Sequence, residues 1–103
     1  MDAQLKRGVI EACVLRLLGE GDSYGYALSR DAAQVISLSE STLYPVLKRL
    51  ESSGQVESYT REHGGRLRRY YHITDKGRLA MEDFLLEWAE ITKVYDFVRE
   101  GSK

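Results

Sequence analysis

Cysteine is almost absent from this chain. A single residue, Cys13, leaves no intrachain disulfide possible, and neither it nor His63 and His72 stand in a cluster with metal-ligand spacing. Cys13 is expected to be a reduced core residue, and no metal or cofactor is expected. Long apolar runs are missing as well. Stretches such as Val14-Leu15, Leu17-Leu18 and Ala32-Ala33 fall far short of the roughly 20 residues that a membrane-spanning helix needs. Residues 1–20 lack a signal-peptide pattern, because Lys6 and Arg7 lead into a segment that already holds Glu11 and Arg16. A cytoplasmic protein with no membrane partner is the expectation. No nucleophile–base pair, phosphate-binding glycine loop or paired carboxylates stand out, so the chain is read as no enzyme and no catalytic residue is named. Internal repeats, low-complexity tracts and interdomain linkers are also missing, and only Gly101-Ser102-Lys103 reads as a loose tail.

What is present suits one globular domain: 103 residues, 43% hydrophobic and 30% charged. The net charge of −1 is an average over unequal segments. Residues 1–54 hold 6 Lys/Arg against 7 Asp/Glu, residues 55–78 hold 6 against 3, and residues 79–103 hold 3 against 6. Positive charge is thus concentrated in one short stretch.

From Gln4 to Leu18, apolar positions Leu5, Val9, Ile10, Ala12, Cys13, Val14, Leu17 and Leu18 recur at steps of three and four, which predicts a helix ended by Gly19 and Gly21. Asp22 or Ser23 offers an N-cap for a second helix over about Tyr24 to Val35, burying Tyr26, Ala27 and Ala33. Behind the cap-rich segment Ser37 to Thr42, a third helix places Leu43, Val46, Leu47 and Leu50 on one face and stops at Gly54. Pro45 falls near its first turns, where a missing N–H is best tolerated. Two stretches rich in β-branched and aromatic residues then follow, Gln55 to Thr60 and Arg68 to Thr74, separated by a loop containing Gly64-Gly65. They read as a β-hairpin. Tyr70 and Tyr71 alternate across its second strand, so one faces the core and the other faces out.

Thr74-Asp75 caps a last helix running to about Arg99. Along it Met81, Phe84, Trp88, Ile91, Tyr95 and Val98 follow at the three-and-four spacing of a helix–helix seam, and Leu79, Leu85 and Leu86 widen the stripe. One short domain cannot easily cover this stripe, which points to a homodimer.

Three short helices followed by a hairpin is the order of a winged helix-turn-helix. The fold expected is mainly α with a β-hairpin wing (α+β). Residues 1–75 form the DNA-binding unit, and residues 76–103 are a dimerisation helix packed as part of the same domain. With its apolar face inward, the third helix presents Ser41, Thr42, Tyr44 and Lys48, with Arg49 at the edge, as donors for phosphates and base edges. The hairpin tip adds Arg66, Arg68 and Arg69 around a Gly-Gly turn, which suits closely spaced phosphates or a narrow minor groove. These eight residues are the candidate contacts to double-stranded DNA. A winged-helix module that binds protein instead of specific DNA is the competing reading. Tyr24 and Tyr26 are each read as either core or a contact to DNA backbone, with core preferred for Tyr26.

The run Ser41-Thr42-Leu43-Tyr44-Pro45-Val46-Leu47-Lys48-Arg49-Leu50-Glu51, with Gly54, Gly64-Gly65-Arg66, Arg69 to Thr74 and Lys76-Gly77, closely resembles the PadR family of transcriptional regulators. Tyr24-Gly25-Tyr26-Ala27-Leu28 resembles that family's second-helix motif. The resemblance covers about residues 5–78. It implies a dimeric bacterial or archaeal repressor that binds a pseudo-palindromic promoter site and lets go when an effector binds. The single C-terminal helix resembles the small-subunit, LmrR-like branch, in which a tryptophan of that helix helps form a flat hydrophobic site at the dimer centre. Trp88 falls at the matching place. Two such side chains could sandwich a planar aromatic effector, and Asp83, Glu87 and Glu90 nearby would favour a cationic one. The other reading of Trp88 is an ordinary seam residue packed on its symmetry mate.

Overall fold

The computed structural model describes residues 1–101, so Ser102 and Lys103 of the expected tail lie outside the described residues, while Gly101 is the last residue of a helix. The elements run α1 (Ala3–Glu20), β1 (Ser23–Tyr24), α2 (Gly25–Ala32), α3 (Glu40–Ser52), β2 (Val56–His63), β3 (Arg66–Ile73) and α4 (Asp75–Gly101). The three strands form an antiparallel sheet in the order β1-β3-β2. Helices α1 to α3 pack on one face of it, which makes this a winged helix-turn-helix of mainly α composition.

The core follows from the helical periods. Ile10, Val14, Leu15 and Leu18 of α1 meet Leu28 and Ala32 of α2, Leu43, Val46, Leu47 and Leu50 of α3, and Val56, Tyr71 and Ile73 of the sheet, all nearly inaccessible to water. Asp2 caps α1 by accepting from the Leu5 N–H at 3.3 Å, and Ser39 caps α3 by accepting from the Thr42 N–H at 3.3 Å. Pro45 lies inside α3, where its missing donor leaves the Ser41 carbonyl outside the helical ladder. Cys13 is only half-buried, so it borders the core without belonging to it, and burial pushes its thiol up from the usual range.

The second helix differs from expectation at both ends. Neither Asp22 nor Ser23 caps it. Ser23 and Tyr24 form β1, opposite Tyr71 and Tyr70, and the cap position falls to Tyr24, whose side chain makes no capping bond. Their backbone groups are satisfied by a sheet edge that no local pattern announces. At the other end α2 stops at Ala32, Ala33 is exposed, and Ser29 donates its hydroxyl to the Leu38 carbonyl, binding the turn to the helix. Tyr26 is also on the outside, 60% exposed. With Leu28 inward, a residue two positions earlier points to the opposite face of an α-helix.

The hairpin is longer and tighter than a strand–loop–strand reading suggests. Pairing continues without a break from Val56↔Ile73 to His63↔Arg66. Only Gly64 and Gly65 remain for the turn, with φ of 59° and 80°. Two successive positive φ values define the hairpin turn that matches strand twist, and glycine adopts both without strain.

Helix α4 starts where Thr74 closes three bonds. Its hydroxyl donates to the Gly54 carbonyl at 2.6 Å and accepts from the Gly77 N–H at 3.2 Å, while its own N–H reaches the Gln55 carbonyl at 3.1 Å. Gly77 is buried, and a Cβ there would collide with the Gln55 carbonyl oxygen and stand 2.8 Å from Ile73 Cγ1. The helix then runs for 27 residues, about 40 Å at 1.5 Å per residue. Of the stripe along it, Met81 packs against the chain's own core and Phe84 is half-buried, so that end of the expected seam is already occupied within one chain. Trp88, Ile91, Tyr95 and Val98 are 40–60% exposed, and the flanking Leu79, Leu85 and Leu86 are more so, at 61–69%.

Candidate nucleic-acid interface

The apolar period of α3 decides which of its side chains face out. Leu43, Val46, Leu47 and Leu50 are buried, leaving Ser41, Thr42, Tyr44 and Lys48 exposed on the opposite side. The Ser39 hydroxyl lies 3.0 Å from both the Ser41 and Thr42 hydroxyls, so the helix begins with three clustered oxygens.

The wing is set beside this face by an ionic clamp. Glu51, in the last turn of α3, accepts from Arg69 Nη2 at 3.1 and 3.3 Å and from the Ser58 hydroxyl, and Arg69 also donates to Ser58 Oγ at 2.8 Å. Helix and both strands of the wing thus share one network. Between them lie two adjoining grooves. One, of about 490 Å³, is lined by Tyr24, Tyr26, Tyr44, His63, Arg66, Arg68 and Arg69. The other, of about 390 Å³, is lined by Tyr44, Lys48, Glu51, Arg69 and Tyr71. Tyr44 and Arg69 line both.

The arginines differ in what holds them. Arg68 lies over the Tyr24 ring with its guanidinium carbon 3.9 Å from the centroid, and Tyr24 meets Tyr70 edge-on at 5.6 Å. Tyr70 in turn stacks on Tyr59 at 5.6 Å. Of the tyrosine pair, Tyr71 faces the core and Tyr70 lies on the outer face, as alternation requires. Burial pushes the Tyr71 phenol up, against a smaller opposing pull from Arg69, so it stays neutral. Arg66, beside the turn, and Lys48 are exposed and form no ion pair among the described residues. Arg49 lies apart from this group, because its guanidinium donates to Glu11 on α1 at 3.2 and 3.3 Å. An acidic residue 38 positions away in sequence claims it, which no local pattern reveals.

The sheet is tied to the body near the base of the wing, where Glu57 pairs with His72 and Tyr59 with Tyr70. The Asp22 carboxylate accepts from the Tyr59 hydroxyl at 2.6 Å and pairs with His72 Nδ1 at 2.7 Å. The bonds from Tyr59 and then His72 hold that carboxyl below its usual range, and the bond to Asp22 raises the Tyr59 phenol. Tyr26, which lines the first groove, was not identifiable there from local sequence. For Tyr26 the available signal was helix phase relative to Leu28, once the helix start is known. Among the described residues no group of three His, Cys, Asp or Glu side chains is placed to hold a metal, and no helix is long and apolar enough to cross a membrane.

A protruding two-stranded wing clamped beside an exposed polar helix face is the geometry of a DNA reader, and the family comparison agrees. The model of the transcriptional regulator PadR-like family matches residues 14–83. The chain belongs to that family. As a PadR-like protein it is a DNA-binding transcriptional regulator. It is 36% identical over 101 residues to an uncharacterized protein of Lysinibacillus sphaericus, covering 92% of each chain. It is 30% identical over 83 residues to the negative transcriptional regulator PadR of Bacillus subtilis, covering 76% of this chain and 46% of that one. This PadR-like chain therefore matches less than half the length of the Bacillus relative. Among solved structures, a PadR family transcriptional regulator from Eggerthella lenta is 34% identical with a TM-score of 0.84, covering 94% of this chain and 87% of that one.

Proposed function

We propose that this PadR-like chain is a repressor that acts as a homodimer on a pseudo-palindromic promoter site. Helix α3 enters the major groove with Tyr44 and Lys48, Ser41 and Thr42 bond at its start, and the wing carries Arg66 and Arg68 to the flanking backbone. Arg69 sets the wing angle through Glu51, whereas Arg49, held by Glu11 on α1, is left out of the contact set. The observation that carries this reading is the convergence of Tyr44, Lys48, Arg66 and Arg68 on one exposed surface. Dimerisation is supported by the exposed apolar stripe Trp88, Ile91, Tyr95 and Val98 of α4. A symmetric pair sets two recognition helices about 34 Å apart, the repeat of successive major grooves on one DNA face.

Titration of a duplex from the regulator's own promoter over a range of salt concentrations tests the proposal. Affinity should fall with a log–log slope near −0.9 per phosphate neutralised, and Lys48→Ala or Arg66→Ala, each removing one contact from both protomers, should make that slope shallower by about two. Micromolar binding that does not distinguish promoter from random duplex would instead leave a winged-helix protein-interaction module.

We further propose that a planar aromatic cation is the effector and that Trp88 receives it. Trp88 is 40% exposed and stacks on Phe84 at 5.8 Å with the rings 16° from parallel. A small cavity of about 190 Å³ opens beside it, bordered by Leu5, Gly8, Glu87 and Ile91. Such a ligand releases DNA only by preferring the dimer geometry whose recognition helices mismatch the grooves. Saturable quenching of the lone tryptophan, abolished in Trp88→Ala, is the expected signature.

A further inference from the structure

Gly25 opens α2 and is buried, yet its own backbone does not require glycine. It is not among the positive-φ residues of the chain, and alanine is the better helix former. The reason for glycine lies across the groove. A Cβ built on Gly25 would stand 2.8 Å from Tyr44 Oη, 3.0 Å from Cζ and 3.2 Å from Cε1. These three nearest atoms all belong to the outer end of one ring, so the bare backbone of Gly25 is the surface on which that ring lies.

We infer that Gly25 is a positioning residue for DNA recognition, fixing the Tyr44 ring, and with it the ring's hydroxyl, by leaving room for it at the start of α2. This rests on the proposed contact of Tyr44 with DNA. The physical argument concerns pre-organisation. Tyr44 is 50% exposed, and an unsupported ring on an exposed helix face samples several rotamers that binding must then restrict. Laid against rigid backbone, the ring has already lost that freedom. A methyl group at position 25 has to lift the ring off α2, because the Cβ contacts lie below the range of ordinary packing distances. The displaced hydroxyl then meets its partner through a longer, weaker hydrogen bond.

The test is a cycle of Gly25→Ala, Tyr44→Ala and the double variant. Binding is read by anisotropy on a duplex selected from a random-sequence pool by the parent protein, and on an unselected duplex. Melting temperature is measured in parallel. Each single variant should lose roughly five- to tenfold in affinity for the selected duplex, with unselected binding unchanged. The double variant should bind like Tyr44→Ala, because the methyl group has nothing left to displace. Gly25→Ala should melt at or above the parent temperature. Should it fail to fold, recovery of folding in the double variant would still establish the clash with Tyr44, and failure of both would overturn the inference. Parent-like binding by Gly25→Ala beside a weakened Tyr44→Ala would also overturn it, as would losses that multiply in the double variant. Parent-like binding by Tyr44→Ala would remove the DNA contact itself, and the role of Gly25 with it.

Discussion

Glu51 and Arg69 join the recognition helix to the wing. The carboxylate ends α3, the guanidinium sits midway along β3, and they meet at 3.1 Å with Ser58 of β2 bonded to both. A hairpin attached only at its base would swing about its strands. The clamp fixes the angle between α3 and the wing, and in the proposed complex that angle relates the side chains at the bases to those at the phosphates.

Glu51→Gln keeps the shape and removes the charge. Because the pair is partly exposed, stability should change by no more than about 1 kcal/mol. Binding should shift in a different way. Arg69 released from its counter-charge strengthens attraction to any duplex, while a loosened wing weakens the selected one, so the ratio of specific to nonspecific affinity falls. Measuring both affinities at one salt concentration decides the matter, and an unchanged ratio would mean that the wing angle is set elsewhere.

Gly77 offers a sharper stability prediction than any surface ion pair. The atom that a Cβ would strike first is the Gln55 carbonyl oxygen, part of backbone already bonded to Thr74, and Ile73 closes the other side. Neither is the free end of a flexible chain. Gly77→Ala should therefore cost about 2–3 kcal/mol, lowering Tm by roughly 10 °C or more, despite the better helix propensity of alanine. A thermal melt within about 2 °C of the parent would show that the start of α4 can slide away from the sheet.

The features legible from sequence were those with a repeating local signal. The buried faces of α1 and α3 follow from steps of three and four, and the same phase exposed Tyr44 and Lys48. Helix α4 and its Thr74 cap were equally readable. What escaped depends on partners distant in the chain. Ser23 and Tyr24 are too short a segment to carry a period, and they become a strand only because Tyr70 and Tyr71 offer an open edge. Residues 61–63 and 66–67 looked like loop because they are mostly charged, but both faces of the wing tip meet water and the backbone ladder is what makes them strand. Arg49 looked free until Glu11 was brought to it by the packing of α1 on α3. The clamp at Glu51 needed three elements in place, so its residues were visible singly and its geometry was not.

The exposed stripe of α4 gives the last prediction. Met81 and Phe84 are tucked toward the body of their own chain, but from Trp88 onward the apolar positions face water, with Ile91 at 50% and Tyr95 at 58% exposure. Burying them in a symmetric pair would remove a continuous apolar strip from water, whereas leaving them bare would expose an association-prone surface. Ile91→Asp places a carboxylate on each side of such a pair, near the centre of the seam. Two like charges would lose hydration together, so the dimer should weaken by at least about a hundredfold while the monomer fold, in which this position is already half solvated, remains intact. Sedimentation equilibrium should then report a mass near 11.8 kDa at concentrations where the parent is dimeric. On DNA the variant should contact a single half-site, with about half the parent's salt slope. A retained dimeric mass would place the interface away from Ile91 and detach Trp88 from the dimer centre.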